Sequence, residues 1–254
     1  MSSPFFTASN FISYWFKAVG AHDLHSPFVF DLYNKVIRKS KSALPKELQA
    51  IRSQLIRDDR SIDVIDFKTG KSRRSTVGSV AKTSLSSTKF MNFLRLLSEY
   101  VQTSTILETG TSLGLNAISL SQAIGVNTVV SIEGSEIIHQ LAVQNCRDNS
   151  KVHLIKGDLY ETFSSALIRY QPEIIFLDAD HRSSAIRHCL GEIALHCPDV
   201  KCIVIHDVHW SKDMLEGWES ITEDPKYSLT MDIFQAGLIF PNHPIVKQHF
   251  TLRF

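Results

Sequence analysis

The chain has almost no charge imbalance, few cysteines and no long apolar run, and each shortage excludes a class of protein. Its 254 residues carry 27 basic and 26 acidic side chains, a net charge of +1, so bulk charge attracts neither nucleic acid nor an anionic membrane. No apolar run approaches the ~20 residues of a membrane-spanning helix. The four cysteines lack metal-type Cys-x-x-Cys spacing, and the first ten residues lack the features of a signal peptide. We therefore expect a cytoplasmic protein with reduced, buried thiols and no nucleic-acid or membrane partner.

What the sequence does contain is a regular alternation of short apolar strands with amphipathic helices. The predicted strands are Thr105–Glu108, Val129–Glu133, Val152–Asp158, Ile174–Asp180 and Cys202–Asp207. The predicted helices between them are Leu115–Ala123, Ser135–Cys146, Leu159–Tyr170 and Arg182–His196. This pattern indicates an α/β protein with a Rossmann-like, doubly wound, mostly parallel sheet. Two further strands, Tyr227–Phe234 and Gly237–Phe240, are too close for a crossover helix and predict an antiparallel edge hairpin, which makes seven strands.

A glycine-containing turn follows the first of these strands. Glu108 precedes Gly110, Thr111, Ser112 and Gly114, and Asn116 lies at the start of the predicted helix. Glycine lets a ligand approach the backbone, and free N–H groups at such a turn point towards it. The spacing is Glu-x-Gly-x-x-x-Gly, unlike the Gly-x-Gly-x-x-Gly of dinucleotide enzymes. A carboxylate before the turn repels a pyrophosphate but suits an ammonium or sulfonium group.

The ends of the five strands carry acids, which parallel pairing brings to one edge of the sheet. Glu133 stands 25 residues after Glu108, where a doubly wound fold places the carboxylate that binds ribose hydroxyls. A plainer interpretation is that each acid caps the following helix. Five in succession behind the glycine turn favour a ligand site.

The turn and these acids resemble class I S-adenosylmethionine-dependent methyltransferases. The resemblance implies S-adenosylmethionine as cofactor, with Asp158 and Leu159 beside its adenine. The implied cofactor-binding residues are Glu108, Gly110, Thr111, Ser112, Gly114, Asn116, Glu133, Gly157, Asp158, Leu159 and Asp178. Residues 86–254 are the predicted methyltransferase domain, and residues 1–85 a helical cap with a polar loop at Asp63–Ser84.

The segment from Asp178 to His181 resembles the Asp-Ala-Asp-Lys segment of catechol- and caffeoyl-coenzyme A-type O-methyltransferases, and parts of the chain resemble uncharacterised bacterial methyltransferases. In the first group the leading Asp binds a divalent metal, the Lys deprotonates the acceptor, and an Asp-Asn pair after the fifth strand adds two ligands. Here His181 replaces the Lys, with Asp180 or Asp178 to orient it, and Val208 replaces the Asn. We therefore predict His181 and Asp180 as catalytic residues and no metal.

The alternative to a metal-free site is a metal site with a different set of ligands. Side chains two residues apart face the same way in an extended segment. Asp207 and His209 would then join Asp178. The predicted function is methyl transfer to a small molecule, at a hydroxyl oxygen. A non-catalytic binding or assembly protein, a methyltransferase for macromolecules, and a homodimeric assembly stay open.

Overall fold

The N-terminal segment contains helices, as expected for the predicted helical cap. The computed structural model of the protein describes residues 4–65 and 72–254. The first helices are α1 (Pro4–Lys17), α2 (Pro27–Leu32), which continues as a π-helical segment (Tyr33–Ile37), and α3 (Lys46–Arg57). Pro27 occupies the first position of α2 directly after Ser26, where its missing N–H costs no hydrogen bond.

The segment Asp63–Ser84 differs from the polar loop that the sequence predicted. The elements here are β1 (Ser61–Ile65), which pairs antiparallel with β2 (Ser72–Thr76), and α4 (Val77–Ser84). Thr76 starts α4 because its side-chain oxygen accepts a hydrogen bond from the Ser79 N–H at 3.1 Å. The loop prediction is therefore wrong for residues 63–65 and 72–84, and its remaining residues, 66–71, lie outside the described part of the chain.

The rest of the chain alternates between helices and strands. In order, the elements are α5 (Thr88–Tyr100), β3 (Thr105–Thr109), α6 (Leu115–Ser121), β4 (Thr128–Glu133), α7 (Glu136–Cys146), β5 (Val152–Lys156), α8 (Leu159–Tyr170), β6 (Ile174–Leu177), α9 (Ser183–His196), β7 (Cys202–His206), α10 (Lys212–Glu223), β8 (Leu229–Asp232), β9 (Ala236–Phe240) and β10 (Gln248–Thr251). None of the helices within residues 4–65 and 72–254 has the length and apolar character that a bilayer crossing requires.

The main sheet has the predicted doubly wound, mostly parallel arrangement with one more strand than expected. Its order is β10-β8-β9-β7-β6-β3-β4-β5, and in this sheet only β9 runs against its neighbours. The β8–β9 hairpin is present, but β10 pairs with β8 and forms the edge of the sheet. The sheet therefore has eight strands instead of the predicted seven, and the hairpin is not at its edge. The residue after β10, Leu252, is fully buried and forms a bridge with Val19 of the N-terminal segment. The first two residues of β10 are exposed, so its position in the sheet depends on pairing with distant parts of the chain.

The hydrophobic core lies on both faces of this sheet because successive side chains of a strand point to opposite faces. On β3, Ile106 belongs to the core cluster that includes residues of α2, α5 and α6, whereas Leu107 belongs to the cluster on the other face with residues of α8, α9 and α10. A third cluster joins α3 and α4 to α6 and α7. Helices of the N-terminal segment thus share hydrophobic clusters with the rest of the chain. The domain boundary between residues 85 and 86 lies in the connection between α4 and α5 and stays a prediction.

The strand order reverses beside β3, and this reversal selects one end of the sheet for ligands. From β3 the chain moves outwards through β4 and β5, then returns to β6 on the other side of β3. In open parallel sheets, ligands bind outside the carboxyl ends of the strands at such a point. The segments there are residues 110–114 after β3 and residues 178–182 after β6. Helix α1 lies near the same edge, where Phe11 and Tyr14 pack against Phe234 after β8.

Candidate active site

The turn of residues 110–114, here called the cofactor turn, depends on two glycines. Gly110 has φ +85°, and a Cβ at this position would lie 2.8 Å from the Asp178 carbonyl oxygen. Gly114 has φ +81°, and a Cβ there would lie 2.7 Å from the Cys146 sulfur. Glycine is therefore needed both for the left-handed backbone and for close packing against β6 and α7. The turn is held directly against the segment that carries Asp178.

Below the turn, Glu108 is fully buried without a positively charged partner among its hydrogen bonds. Its carboxylate accepts hydrogen bonds from the Asn116 side-chain amide and from the Ser131 hydroxyl, the latter at 2.6 Å. Burial raises the pKa of Glu108 to about 7. Asn116 Oδ1 is buried and accepts no hydrogen bond from the described residues. The base of the pocket is therefore acidic and has an unused acceptor, which suits a cationic ligand.

Glu133 at the end of β4 stabilises the turn from the other side. Its two carboxylate oxygens accept hydrogen bonds from the Ser112 and Ser135 N–H groups, both at 2.9 Å. Burial raises the pKa of Glu133. A carboxylate oxygen has more than one acceptor position, so these backbone bonds leave capacity for ligand hydroxyls.

The pocket above the turn contains both predicted and unpredicted residues. Its lining consists of Ser84, Leu85, Ser86, Met91, Glu108, Gly110, Thr111, Ser112, Asn116 and Asp178. Six of these were predicted from the sequence. The first four come from the end of α4, from the connection after it and from α5. The Ser84 hydroxyl lies 2.6 Å from that of Ser112. Because the sequence analysis placed Ser84 in a polar loop, it gave no reason to bring this residue to the turn.

The predicted adenine-binding residues lie outside this pocket lining. Asp158 caps α8 by accepting a hydrogen bond from the Tyr160 N–H at 2.8 Å, and Leu159 is buried in the core beneath it. The Gly157 N–H donates to the Glu133 carbonyl at 3.0 Å, so the end of β5 lies beside β4. The sequence-based capping alternative thus applies to Asp158, and its cofactor role stays a prediction.

Next to the cofactor turn, four side chains form what we call the histidine cluster: Asp178, His181, His206 and Asp207. His206 Nδ1 lies 2.8 Å from Asp178 Oδ1 and 3.6 Å from Asp207 Oδ2. His181 Nε2 lies 3.2 Å from Asp207 Oδ2 and 3.7 Å from Asp178 Oδ1. Each imidazole therefore faces both carboxylates.

The local environment of His206 orients its ring and changes its protonation. The ring packs against Phe90 and Phe176, with centroid distances of 4.9 and 5.9 Å. Burial alone lowers the pKa of His206, but the Asp178 and Asp207 carboxylates outweigh it and raise the pKa above its usual value. Sequence analysis missed this residue, although its position at the end of a strand beside Asp207 was a usable signal.

His209 does not join Asp207, because the backbone between them is not extended. Asp207 has φ +57°, in the left-handed region, so residues two apart no longer face the same way. His209 is buried instead against Phe234, with its Nε2 2.8 Å from Asp232 Oδ2. The sequence-based metal set of Asp178, Asp207 and His209 is therefore wrong, and His206 occupies the place expected for His209.

The Asp180 side chain pairs with Arg182 and not with the His181 imidazole, although Asp180 and His181 are adjacent in the sequence. Its carboxylate accepts hydrogen bonds from Arg182 Nε at 2.9 and 3.1 Å, so this pair forms a local turn before α9. The residues that face His181 are Asp178 and Asp207. Trp210 lies edge-on to the His181 ring at 6.2 Å and is 46% exposed. An orienting role for Asp180 therefore has no support from the geometry.

Comparisons with known proteins identify the fold. A family model described as a methyltransferase domain matches residues 107–208. No curated protein sequence matches the chain. A methyltransferase from Podospora anserina with SAH bound is 14% identical, with a TM-score of 0.62, over 87% of this chain and 98% of the other.

Two O-methyltransferases show the same likeness. The Bacillus cereus enzyme in complex with SAH is 19% identical over 81% of this chain and 96% of its own, with a TM-score of 0.54. TomG from Streptomyces achromogenes, an O-methyltransferase involved in tomaymycin synthesis, in complex with SAM, is 15% identical over 82% of this chain and 96% of its own, with a TM-score of 0.55. Residues 107–208 therefore match a family of methyltransferase domains, and the chain as a whole has the fold of these solved methyltransferases.

Proposed function

We propose that this protein transfers the methyl group of S-adenosylmethionine to a hydroxyl oxygen of a small molecule. The observation that carries the proposal is the set of carboxylates around the cofactor turn, Glu108, Glu133 and Asp178. In residues 4–65 and 72–254 no lysine or arginine forms a salt bridge with any of them. A ligand with ammonium and sulfonium charges and a ribose diol matches this arrangement. The structural neighbours with SAH or SAM bound support it.

In this proposal each end of the cofactor has its own contacts. The turn at Gly110–Gly114 lies against the methionine portion, where Asn116 Oδ1 accepts a hydrogen bond from the ammonium group. Glu133 accepts the ribose hydroxyls on the acceptor positions that Ser112 and Ser135 leave free. Asp158 and Leu159 take the adenine end, as predicted from the sequence.

The acceptor side uses the histidine cluster. Methyl transfer is an in-line displacement in which the bond from sulfur to methyl breaks while the bond from oxygen to methyl forms, and SAH leaves. His181 takes the proton of the hydroxyl group, a role in which a neutral imidazole is effective near pH 7. Asp178 and Asp207, rather than Asp180, stabilise the resulting imidazolium. The product is a methyl ether.

A small-molecule acceptor, a cytoplasmic location and a homodimer complete the proposal. The balanced charge supports an acceptor other than nucleic acid. All four cysteines are free and buried, as expected where thiols are kept reduced. Sedimentation analysis tests the homodimer.

Calorimetry with S-adenosylmethionine and SAH tests the cofactor site. Glu133→Ala should weaken binding by ~1–3 kcal/mol because a charged acceptor is lost. Glu136→Ala is the matched control, since Glu136 is exposed on the adjacent helix. Absence of binding by the wild type would contradict the proposal.

Transfer of a labelled methyl group to a panel of hydroxyl compounds tests the reaction itself. A compound that becomes labelled when its hydroxyl group is free, but not when that group is chemically blocked, supports oxygen as the acceptor atom. Cofactor binding without transfer to any compound would favour the non-catalytic alternative. Transfer to protein or nucleic acid alone would favour the macromolecular one.

A further inference from the structure

We infer that Asp178, His181 and His206 bind a divalent transition-metal ion of borderline softness, such as Zn²⁺ or Co²⁺. These three residues each present a ligand atom, and all three atoms lie within 4.8 Å of one another. The inference goes beyond the proposed function because it requires neither cofactor nor acceptor. It also replaces the sequence-based expectation of a metal-free site, which rested on Val208.

The distances in the cluster suit an ion with little rearrangement. Zn–N and Zn–O bonds are ~2.0–2.2 Å, so neighbouring ligand atoms of a tetrahedral site lie about 3.3 Å apart. The separations observed are 2.8 Å between His206 and Asp178, and 3.7 Å between His181 and Asp178. Asp207 Oδ2, at 3.2 and 3.6 Å from the two imidazole nitrogens, provides a fourth ligand or orients the rings.

A second observation is the state of His206 Nδ1. This atom is buried and lies 2.8 Å from Asp178 Oδ1, although within residues 4–65 and 72–254 it makes no hydrogen bond with a well-aligned N–H group. An ion between the carboxylate and the imidazole would satisfy both groups at once.

The charge around the cluster also favours a cation. Two carboxylates face each other across the imidazoles, and in residues 4–65 and 72–254 neither Asp178 nor Asp207 forms a salt bridge with a lysine or arginine. The backbone that carries them is held in place: Gly110 packs on Asp178, and the Asp207 N–H donates to the Gln235 carbonyl at 2.7 Å. Ligands at fixed strand ends are suited to defined coordination.

The donor types predict which ion binds. Mg²⁺ and Ca²⁺ prefer all-oxygen ligands, whereas two imidazoles with carboxylate suit Zn²⁺, Co²⁺ or Ni²⁺. The Asp-Asp-Asn pattern of the O-methyltransferases that the sequence resembles is not reproduced, since Val208 is buried in the core. A bound ion lowers the pKa of a coordinated hydroxyl group. His181, which accepts the proton in the metal-free protein, would be a ligand when the ion is bound.

Metal binding to the chelator-treated full-length protein tests this inference without any measurement of activity. Calorimetry should show one Co²⁺ or Zn²⁺ per chain, with Mg²⁺ unable to compete, and Co²⁺ should produce visible absorption bands of a nitrogen-containing site. His181→Gln and His206→Gln should each weaken binding at least tenfold. His188→Gln, a half-buried histidine on α9, should leave it unchanged.

The two variants must keep the thermal unfolding midpoint and the SAH affinity of the wild type, which separates this test from that of the cofactor site. If one of them unfolds, the Co²⁺ spectrum of the other decides. Equal Co²⁺ affinity in the wild type and in the folded cluster variants would overturn the inference. So would tighter binding of Mg²⁺ than of Zn²⁺.

Discussion

The two halves of the site, on either side of the strand-order reversal, stabilise their carboxylates in different ways. Beside β3 and β4, Glu108 and Glu133 accept hydrogen bonds from hydroxyl, amide and backbone N–H groups. Beside β6 and β7, the basic groups within salt-bridge distance of Asp178 and Asp207 in residues 4–65 and 72–254 are the imidazoles of His181 and His206. Neutral donors hold a charge in place without neutralising it, whereas imidazoles exchange protons or bind metals.

This difference separates binding from chemistry. The cofactor half holds its carboxylates with neutral donors and suits a cationic ligand, whereas the histidine cluster pairs its carboxylates with imidazoles. The halves are linked at one position, where Gly110 of the cofactor turn packs on the Asp178 backbone. Substitutions on the two sides should therefore affect different measurements, and a substitution at the link should affect both.

The largest effect is expected for His181→Ala. Loss of a proton acceptor costs ~10²- to 10⁴-fold in turnover, while SAH affinity should stay within a few-fold of the wild type because His181 does not line the cofactor turn. Turnover is measured with the labelled cofactor once an acceptor is known. Asp180→Asn is the matched control, since Asp180 pairs with Arg182. An equal loss of turnover in both variants would contradict the assignment of the proton acceptor to His181.

A substitution at the link should destabilise both halves. In Gly110→Ala the left-handed backbone costs ~1–2 kcal/mol, and contact with the Asp178 carbonyl adds ~1–3 kcal/mol. The free energy of unfolding, measured with urea, should fall accordingly, and SAH affinity should fall with it. Gly191→Ala provides the control: apart from the backbone of its own helix, none of the described residues lies within 4 Å of the position that a Cβ would take, so this helical position should gain ~0.5–1 kcal/mol. A stable Gly110→Ala variant with unchanged SAH affinity would show that the turn adapts.

The smallest effect concerns the pH dependence of stability through Glu108. Burial raises the pKa of Glu108 from 4.5 to about 7, so between these values the folded chain keeps a proton that the unfolded chain has lost. The contribution of this group to the free energy of unfolding therefore falls as pH rises through that range, by up to about 3 kcal/mol. Glu108→Gln should remove this dependence, so its stability relative to the wild type should rise between pH 5 and 8.

Urea unfolding at several pH values measures this difference. Glu136→Gln, an exposed control, should follow the wild type apart from a weak surface contribution. A relative stability of Glu108→Gln that does not change with pH would show that the carboxylate is ionised throughout.

How far the sequence predicts the site depends on the distance along the chain between its parts. The cofactor turn is predictable because Glu108, Gly110 and Gly114 are close in sequence and their backbone requirements are local. Ser84 and Met91 were missed because they reach the pocket through the packing of α4 and α5, which no local pattern reveals. The loop prediction failed in the same region, where β2 and α4 depend on pairing with β1 and packing on α3.

The sequence by itself determined the alternation of strands and helices, the glycine turn, and the acids that meet at one end of the sheet. These follow from side-chain periodicity and from the fact that parallel strands end at the same edge. The tertiary structure alone decided the position of β10 and the choice of His206 over His209 for the cluster. The physical reason for that choice is the left-handed backbone at Asp207, which starts a turn where the sequence suggested an extended segment.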